Sequence, residues 1–196
     1  YWGSFSGYSA GNVTWLATEG AADVHVDDMD ADGFVDLIFS NHTDGDGGAE
    51  RNYDVPSVIY WGTETGFDEE IRTQLSTLGA TQAATGDFDG DGRMDVAFAH
   101  GYVTNSSSVY LNSADGLGND HQQSVATDQA HGVVAADLDD DGFTDLVFAN
   151  FCSGRECDSP IYWGSPTGFD TGRVSELPTI AATAVATADL DKNGHL

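Results

Sequence analysis

Asp87, Asp89, Asp91 and Asp95 fall at positions 1, 3, 5 and 9 of a nine-residue stretch with a glycine, Gly92, at position 6. Carboxylates at that spacing, joined by the backbone carbonyl of position 7 (Arg93), form a shell of hard oxygen donors suited to calcium, and the glycine permits the sharp turn. The same grammar recurs as Asp28, Asp30, Asp32 and Asp36 with Gly33 and the carbonyl of Phe34. It recurs again as Asp137, Asp139, Asp141 and Asp145 with Gly142 and the carbonyl of Phe143. A fourth copy, Asp189, Asp191 and Asn193 with Gly194 and the carbonyl of His195, stops before its ninth position. So many converging carboxylates would repel one another without a cation, and one Ca2+ per loop is expected.

The flanks argue against a helix–loop–helix calcium site. Val133-Val134-Ala135-Ala136 before one loop and Leu146-Val147-Phe148-Ala149 after it are apolar runs of strand length, with equivalents at the other copies. Position 2 of every loop is apolar (Met29, Phe88, Leu138, Leu190), which predicts a side chain tucked onto a hydrophobic layer. A second marker follows each unit: Tyr1-Trp2-Gly3, Tyr60-Trp61-Gly62 and Tyr162-Trp163-Gly164, with Tyr110-Leu111-Asn112 as the divergent copy. Each reads as a strand entering a turn that closes on glycine and an apolar residue (Gly7-Tyr8, Gly66-Phe67, Gly116-Leu117, Gly168-Phe169). Gly7-Tyr8-Ser9-Ala10-Gly11 matches the nucleophile motif of serine hydrolases. Its first glycine is this turn glycine, however, and a strand-like run follows where that motif requires a helix.

Each unit therefore holds a strand before the loop, one after it, a third ending in the aromatic motif, and a fourth. First loop aspartates are separated by 59, 50 and 52 residues, the period of propeller blades. The expected fold is all-β: a β-propeller of four-stranded blades, of which the chain holds about three and a half to four as part of a longer protein. Residues 1–20 end a preceding blade, residues 21–78, 79–128 and 129–180 form three complete repeats, and residues 181–196 begin the next. Length varies mainly between the second and third strands, at residues 41–56, 100–107 and 150–160. Variation gathered in one loop per repeat points to a binding face.

With 33 acidic against 6 basic residues and a formal charge of −27, the chain is a poor partner for nucleic acid or an anionic membrane. No apolar stretch is long enough to span a bilayer. The two cysteines, Cys152 and Cys157, close a short glycine-containing loop and read as a local disulfide, hence an oxidising compartment.

The run Gly86-Asp87-Phe88-Asp89-Gly90-Asp91-Gly92, continued by Asp95-Val96-Ala97-Phe98 and Val109-Tyr110-Leu111-Asn112, resembles an FG-GAP or VCBS-type repeat, as do the other two units. The resemblance implies a propeller of the integrin alpha-subunit type, usually seven-bladed, with structural calcium on the aspartates named above. Asn193 departs from the aspartate pattern but keeps an amide oxygen for coordination.

These features lead to an extracellular, non-enzymatic binding, adhesion or structural module of a larger surface or filament protein. Its protein or glycan partner, or another copy of itself, would meet the variable-loop face. Asn12, Asn41 and Asn105 head glycosylation sequons. One alternative is a lectin that stacks sugars on Trp2, Trp61 and Trp163. The other is a polysaccharide-acting hydrolase or lyase, or an accessory to one, with acid–base residues drawn from His25, His42, His100, His121 and His131.

Overall fold

The computed structural model describes residues 1–3, 5, 7–44, 51–102, 104–169 and 171–196. The protein is all-β, and its described residues form twelve strands in three four-stranded antiparallel sheets. The first sheet comprises β1 (Ala21–Asp27), β2 (Asp36–Asn41), β3 (Ser57–Tyr60) and β4 (Arg72–Leu75). The second comprises β5 (Ala80–Gly86), β6 (Asp95–His100), β7 (Ser106–Tyr110) and β8 (Gln122–Ala126). The third comprises β9 (Ala130–Ala136), β10 (Asp145–Asn150), β11 (Glu156–Tyr162) and β12 (Val174–Ile180). Each sheet is a meander in chain order, and its first strand packs beside the first strand of the next, β1 by β5 and β5 by β9. These are the blades of a β-propeller, first strands innermost. Among the described residues, helix is confined to single 3-10 turns at Asn119–His121 and Cys152–Gly154. None is long or apolar enough to cross a membrane.

Strand alternation explains why blades stack. A strand points successive side chains to opposite faces. In β6, Val96 and Phe98 pack toward the first blade with Met29, Ile38, Ile59 and Leu75. The intervening Ala97 and Ala99 pack toward the third, with Val133, Leu146, Phe148 and Tyr162. Every residue of β6 and β10 is buried, as apolar faces on both sides require. Met29 and Phe88, at position 2 of their loops, are likewise buried in these layers.

The aromatic motif joins neighbouring blades. Tyr60 and Tyr162 are buried, and their hydroxyls donate to the Ala17 and Ala126 carbonyls, 2.7 and 2.6 Å away, in the preceding segments. Tyr110 donates to the Ser76 carbonyl in the same way. The tryptophan points elsewhere: the indole N–H of Trp2, Trp61 and Trp163 donates to Thr14, Thr73 and Ser175, each twelve residues on. In residues 1–16 the Trp2 N–H also donates to the Asn12 carbonyl, just as Trp61 does to Ile71 and Leu111 to His121. The preceding segment thus repeats one backbone bond and the indole bond of the blades.

All three inner strands carry an irregularity at the same place, one extra residue against the partner strand: Ala22, Thr81 and His131. Opposite that end, the second-strand terminus is held by a serine–threonine pair spaced twenty residues apart in every blade. Ser57–Thr77, Ser107–Thr127 and Ser159–Thr179 lie at 2.8, 3.0 and 2.9 Å. The serine hydroxyls accept the N–H of Asn41, His100 and Asn150 respectively.

Because each Tyr hydroxyl joins two blades, Tyr162→Phe should lower unfolding free energy by about 1 kcal/mol. Urea denaturation at fixed calcium would read this as a lower midpoint with an unchanged slope.

Candidate metal centres

The antiparallel meander places the four carboxylate loops on one rim, together with the aromatic turns that follow each third strand. In each loop the first aspartate accepts backbone N–H groups from the turn it starts. Asp28 accepts Asp32 and Gly33; Asp87 accepts Gly90, Asp91 and Gly92; Asp137 accepts Asp141 and Gly142; Asp189 accepts Asn193 and Gly194. Position 5 accepts the N–H of position 7: Asp32 from Phe34, Asp91 from Arg93, Asp141 from Phe143 and Asn193 from His195. These side chain-to-backbone bonds pre-form the turn.

Position 6 is glycine at φ near +90° in all four loops. Position 4 is also left-handed, although only Gly90 is a glycine there: Ala31, Asp140 and Lys192 have φ of 59, 59 and 58°. Gly90 has a second reason to be glycine. The ring of Phe143, from the next loop, would lie 2.8 Å from a Cβ on Gly90. His195 touches Asp140 in the equivalent relation, so in the third and fourth loops position 7 rests on position 4 of the loop before it.

The ninth aspartate is the buried member. Asp36, Asp95 and Asp145 are 0, 0 and 1% exposed. One carboxylate oxygen accepts the N–H of loop position 2 (Met29 at 2.8 Å, Phe88 at 2.7 Å, Leu138 at 2.8 Å). The other accepts the N–H that follows the aromatic pair (Gly62 at 2.8 Å, Asn112 at 2.7 Å, Gly164 at 2.8 Å). Gly62 and Gly164 also lie too close to a neighbouring strand end for a side chain, since a Cβ would meet the Val35 or Thr144 carbonyl at 2.2 or 2.5 Å. Asn112 departs from the pattern and uses its side chain, donating to the Met94 carbonyl at 3.2 Å. Burial, despite those bonds and with Asp89 and Asp91 adding repulsion, pushes the Asp95 carboxyl up to about 7. Burial also raises Asp36 and Asp145.

Three carboxylate sets have oxygens within 4.8 Å of one another: Asp28, Asp30 and Asp32; Asp87, Asp89 and Asp95; and Asp137, Asp139 and Asp145. Two oxygens on opposite sides of a calcium ion stand about 5 Å apart, so these sets could share one. The donors are all oxygen, and no described cation reaches the buried ninth aspartate. The chemistry fits a hard divalent ion. Arginines reach two of the loops from the side: Arg93 pairs with Asp91, and Arg173 lies 3.3 Å from Asp139 and 3.9 Å from Asp141. The first set takes position 5, Asp32, where the other two take the buried ninth aspartate.

Cys152 and Cys157 are disulfide-bonded. Asn12 and Asn105 are exposed, whereas Asn41 is 3% exposed and its amide donates to the Pro56 carbonyl at 2.8 Å. Asn150 does the same to Asp158. The Asn41 amide is thus a pin across the second-to-third-strand connection, a geometry that withholds it from a glycan, contrary to the sequon. The indoles of Trp61 and Trp163 are partly buried with their N–H groups committed. Trp2, 39% exposed, stacks on Phe67 at 5.9 Å.

The histidines do not form one site. His25 bonds Thr85 of the next blade at 3.0 Å, His121 lies in an exposed turn, and His100 is buried between blades. His42 and His131 do converge, on the opposite rim, where they flank Tyr102 at 5.2 and 4.5 Å. Tyr53 packs on His42, and Phe151 stacks on His131. The cluster draws on the variable connections of all three blades. Residues 45–50 and 103 of those connections lie outside the described residues.

Two outcomes follow from the loops. A raised Asp95 value means that the folded chain binds a proton more tightly than the unfolded chain, so its contribution is full below about pH 4 and is lost as pH rises through about 7. Metal-stripped protein should lose stability over that window in urea titrations, and saturating calcium, which favours the ionised form, should reverse the trend. Separately, Ala31→Gly should raise stability by roughly 0.5 kcal/mol by removing a left-handed alanine, and Gly90→Ala should lower it by roughly 1–2 kcal/mol. Thermal melts of the two variants would show opposite shifts.

Comparison with known families returns two overlapping matches to the FG-GAP-like repeat, over residues 28–98 and 87–148. A comparison with curated proteins returns no significant match. Each matched span begins at the first aspartate of a loop and ends within the second strand of the following blade. Loop, blade and the strand that covers it recur as one unit over most of the sequence, and the chain belongs to the FG-GAP-like repeat family.

Proposed function

We propose that this chain is a calcium-stabilised portion of an extracellular, non-enzymatic binding or adhesion module. The observation that carries the proposal is the segregation of the two rims. Carboxylate loops built for a hard ion occupy one rim in every blade, while the variable connections meet on the other. An ion at each loop would neutralise the buried ninth aspartate and clamp the turn to the third strand through residues already joined by hydrogen bonds. Asp28, Asp87 and Asp137, with their loop partners at positions 3, 5 and 9, would hold it together with the carbonyls of Phe34, Arg93 and Phe143, and Asp189, Asp191, Asn193 and the His195 carbonyl would do so in the fourth loop.

The other rim then presents the partner surface. His42, Tyr53, Tyr102, His131 and Phe151 supply rigid, amphipathic contact area of the kind that anchors protein or glycan partners, including a further copy of the chain. The disulfide beside Phe151 supports an oxidising, extracellular setting. Asn12 and Asn105 remain accessible for glycans.

Isothermal titration should find about one calcium ion per loop, and the melting temperature should fall in chelator by several degrees. Absence of heat together with identical melts in calcium and chelator would overturn the calcium reading.

A further inference from the structure

A crevice opens at each junction between blades, lined by the segment that ends one outer strand and by the second, third and fourth strands of the next blade. The three crevices have equivalent walls but different chemistry. The first measures about 160 Å³ and carries Glu19, Glu69 and Arg72 around Asn41. The last measures about 320 Å³ and carries Asp128, Asp158 and Glu176 around Asn150. The middle one is the largest at about 460 Å³, and His100 replaces the asparagine.

In the outer two crevices the asparagine turns its amide to a backbone carbonyl, as described for Asn41 and Asn150. His100 does otherwise. It is 4% exposed, it lines the middle crevice, and its Nε2 has no partner. The Ser106 backbone beside the ring favours a proton on Nδ1, and the unpartnered Nε2 then carries the lone pair. Burial lowers its pKa to about 4, so the ring is neutral at physiological pH. A buried acceptor without a donor costs free energy that a ligand hydroxyl would recover.

The rest of the wall suits the same ligand. Where the other crevices place Arg72 or Val174 and Gln74 or Glu176, this one has Gln122 and Ser124. Ser108 accepts the Gln122 amide at 2.7 Å, and Thr104 and Ser106 share a hydrogen bond at 3.1 Å. Asp54 is the one charged residue of the lining, and Leu78 supplies an apolar edge. The volume lies in the range of small-ligand sites. Hydroxyl and amide groups that both donate and accept, one neutral acceptor and an apolar edge match a ring bearing hydroxyls on one side and C–H groups on another.

We propose that the middle crevice binds a neutral sugar residue of a glycan, with Nε2 of His100 accepting a hydrogen bond from a sugar hydroxyl. The proposal rests on the binding-module reading and gives that module a ligand class and a site, separate from the aromatic cluster. Calcium-loaded protein would be titrated with methyl glycosides of neutral hexoses and N-acetylhexosamines, observing the imidazole resonances of His100 by NMR. At least one glycoside should shift them, and His100→Asn, which installs the residue of the neighbouring crevices, should weaken that glycoside at least tenfold. Ser124→Glu, which borrows the carboxylate of the last crevice at an exposed position, should also weaken it, and it decides the matter should His100→Asn fail to fold. Silence of the His100 resonances toward every glycoside, or undiminished affinity in a folded variant, overturns the proposal. Glycan binding that survives His100→Asn removes this site while leaving the module reading intact, whereas failure of the calcium titration removes calcium stabilisation without touching the His100 result.

Discussion

The interaction on which each blade depends is the double acceptance made by its buried ninth aspartate. One oxygen holds the start of the carboxylate loop and the other holds the turn after the third strand, so three of the four strands of a blade are registered through one side chain. The same residue creates the local electrostatic problem. A buried carboxylate with two N–H donors and no cation among its described partners is satisfied in hydrogen bonding but not in charge. Stability of the blade and the capacity to hold a cation are two aspects of one arrangement centred on that aspartate.

Coupling between blades is equally local. Each Tyr hydroxyl crosses one junction, Phe143 and His195 at position 7 each lean on the preceding loop, and Thr81 shares its hydroxyl between the Ala99 and Ala130 carbonyls of adjacent blades. The aromatic cluster spans all three blades, His42 reaching His131 through Tyr102. Such a molecule has the energetics of a linear array, in which a change at one junction is felt by its immediate neighbours. The three crevices illustrate this. Their frames are equivalent, yet their linings have diverged from ionic to hydroxylic without disturbing the strands that bear them.

Much of this was legible in the residues because the constraints are repeated. The aspartate spacing, the apolar second position and the Tyr-Trp-Gly marker together located the loops, the strands between them and the rim they share. What stayed hidden is geometry that several residue types can satisfy. The left-handed fourth position is filled by Ala31, Gly90, Asp140 and Lys192, which share no side-chain chemistry, so no pattern announces it. The serine–threonine pairs do have a signal, a constant spacing of twenty residues, but it only stands out once the blades are aligned by their hydrogen bonds. Asn41 reads locally as a sequon, while its burial depends on Pro56 fifteen residues away. The Tyr-Trp-Gly marker repeats visibly, but the tie from each indole to a hydroxyl twelve residues on carries no residue pattern, since threonine serves twice and serine once.

The extra residue in each inner strand has a consequence for how such repeats diversify. Ala22, Thr81 and His131 stand outside the strand ladder, at corresponding places near one end of the inner strands, and they are a methyl, a hydroxyl and an imidazole. A position excused from pairing is also excused from the size and polarity that pairing imposes. Duplication of a blade therefore copies the scaffold together with one blank address, and successive blades can write different chemistry there while the frame that carries it stays constant.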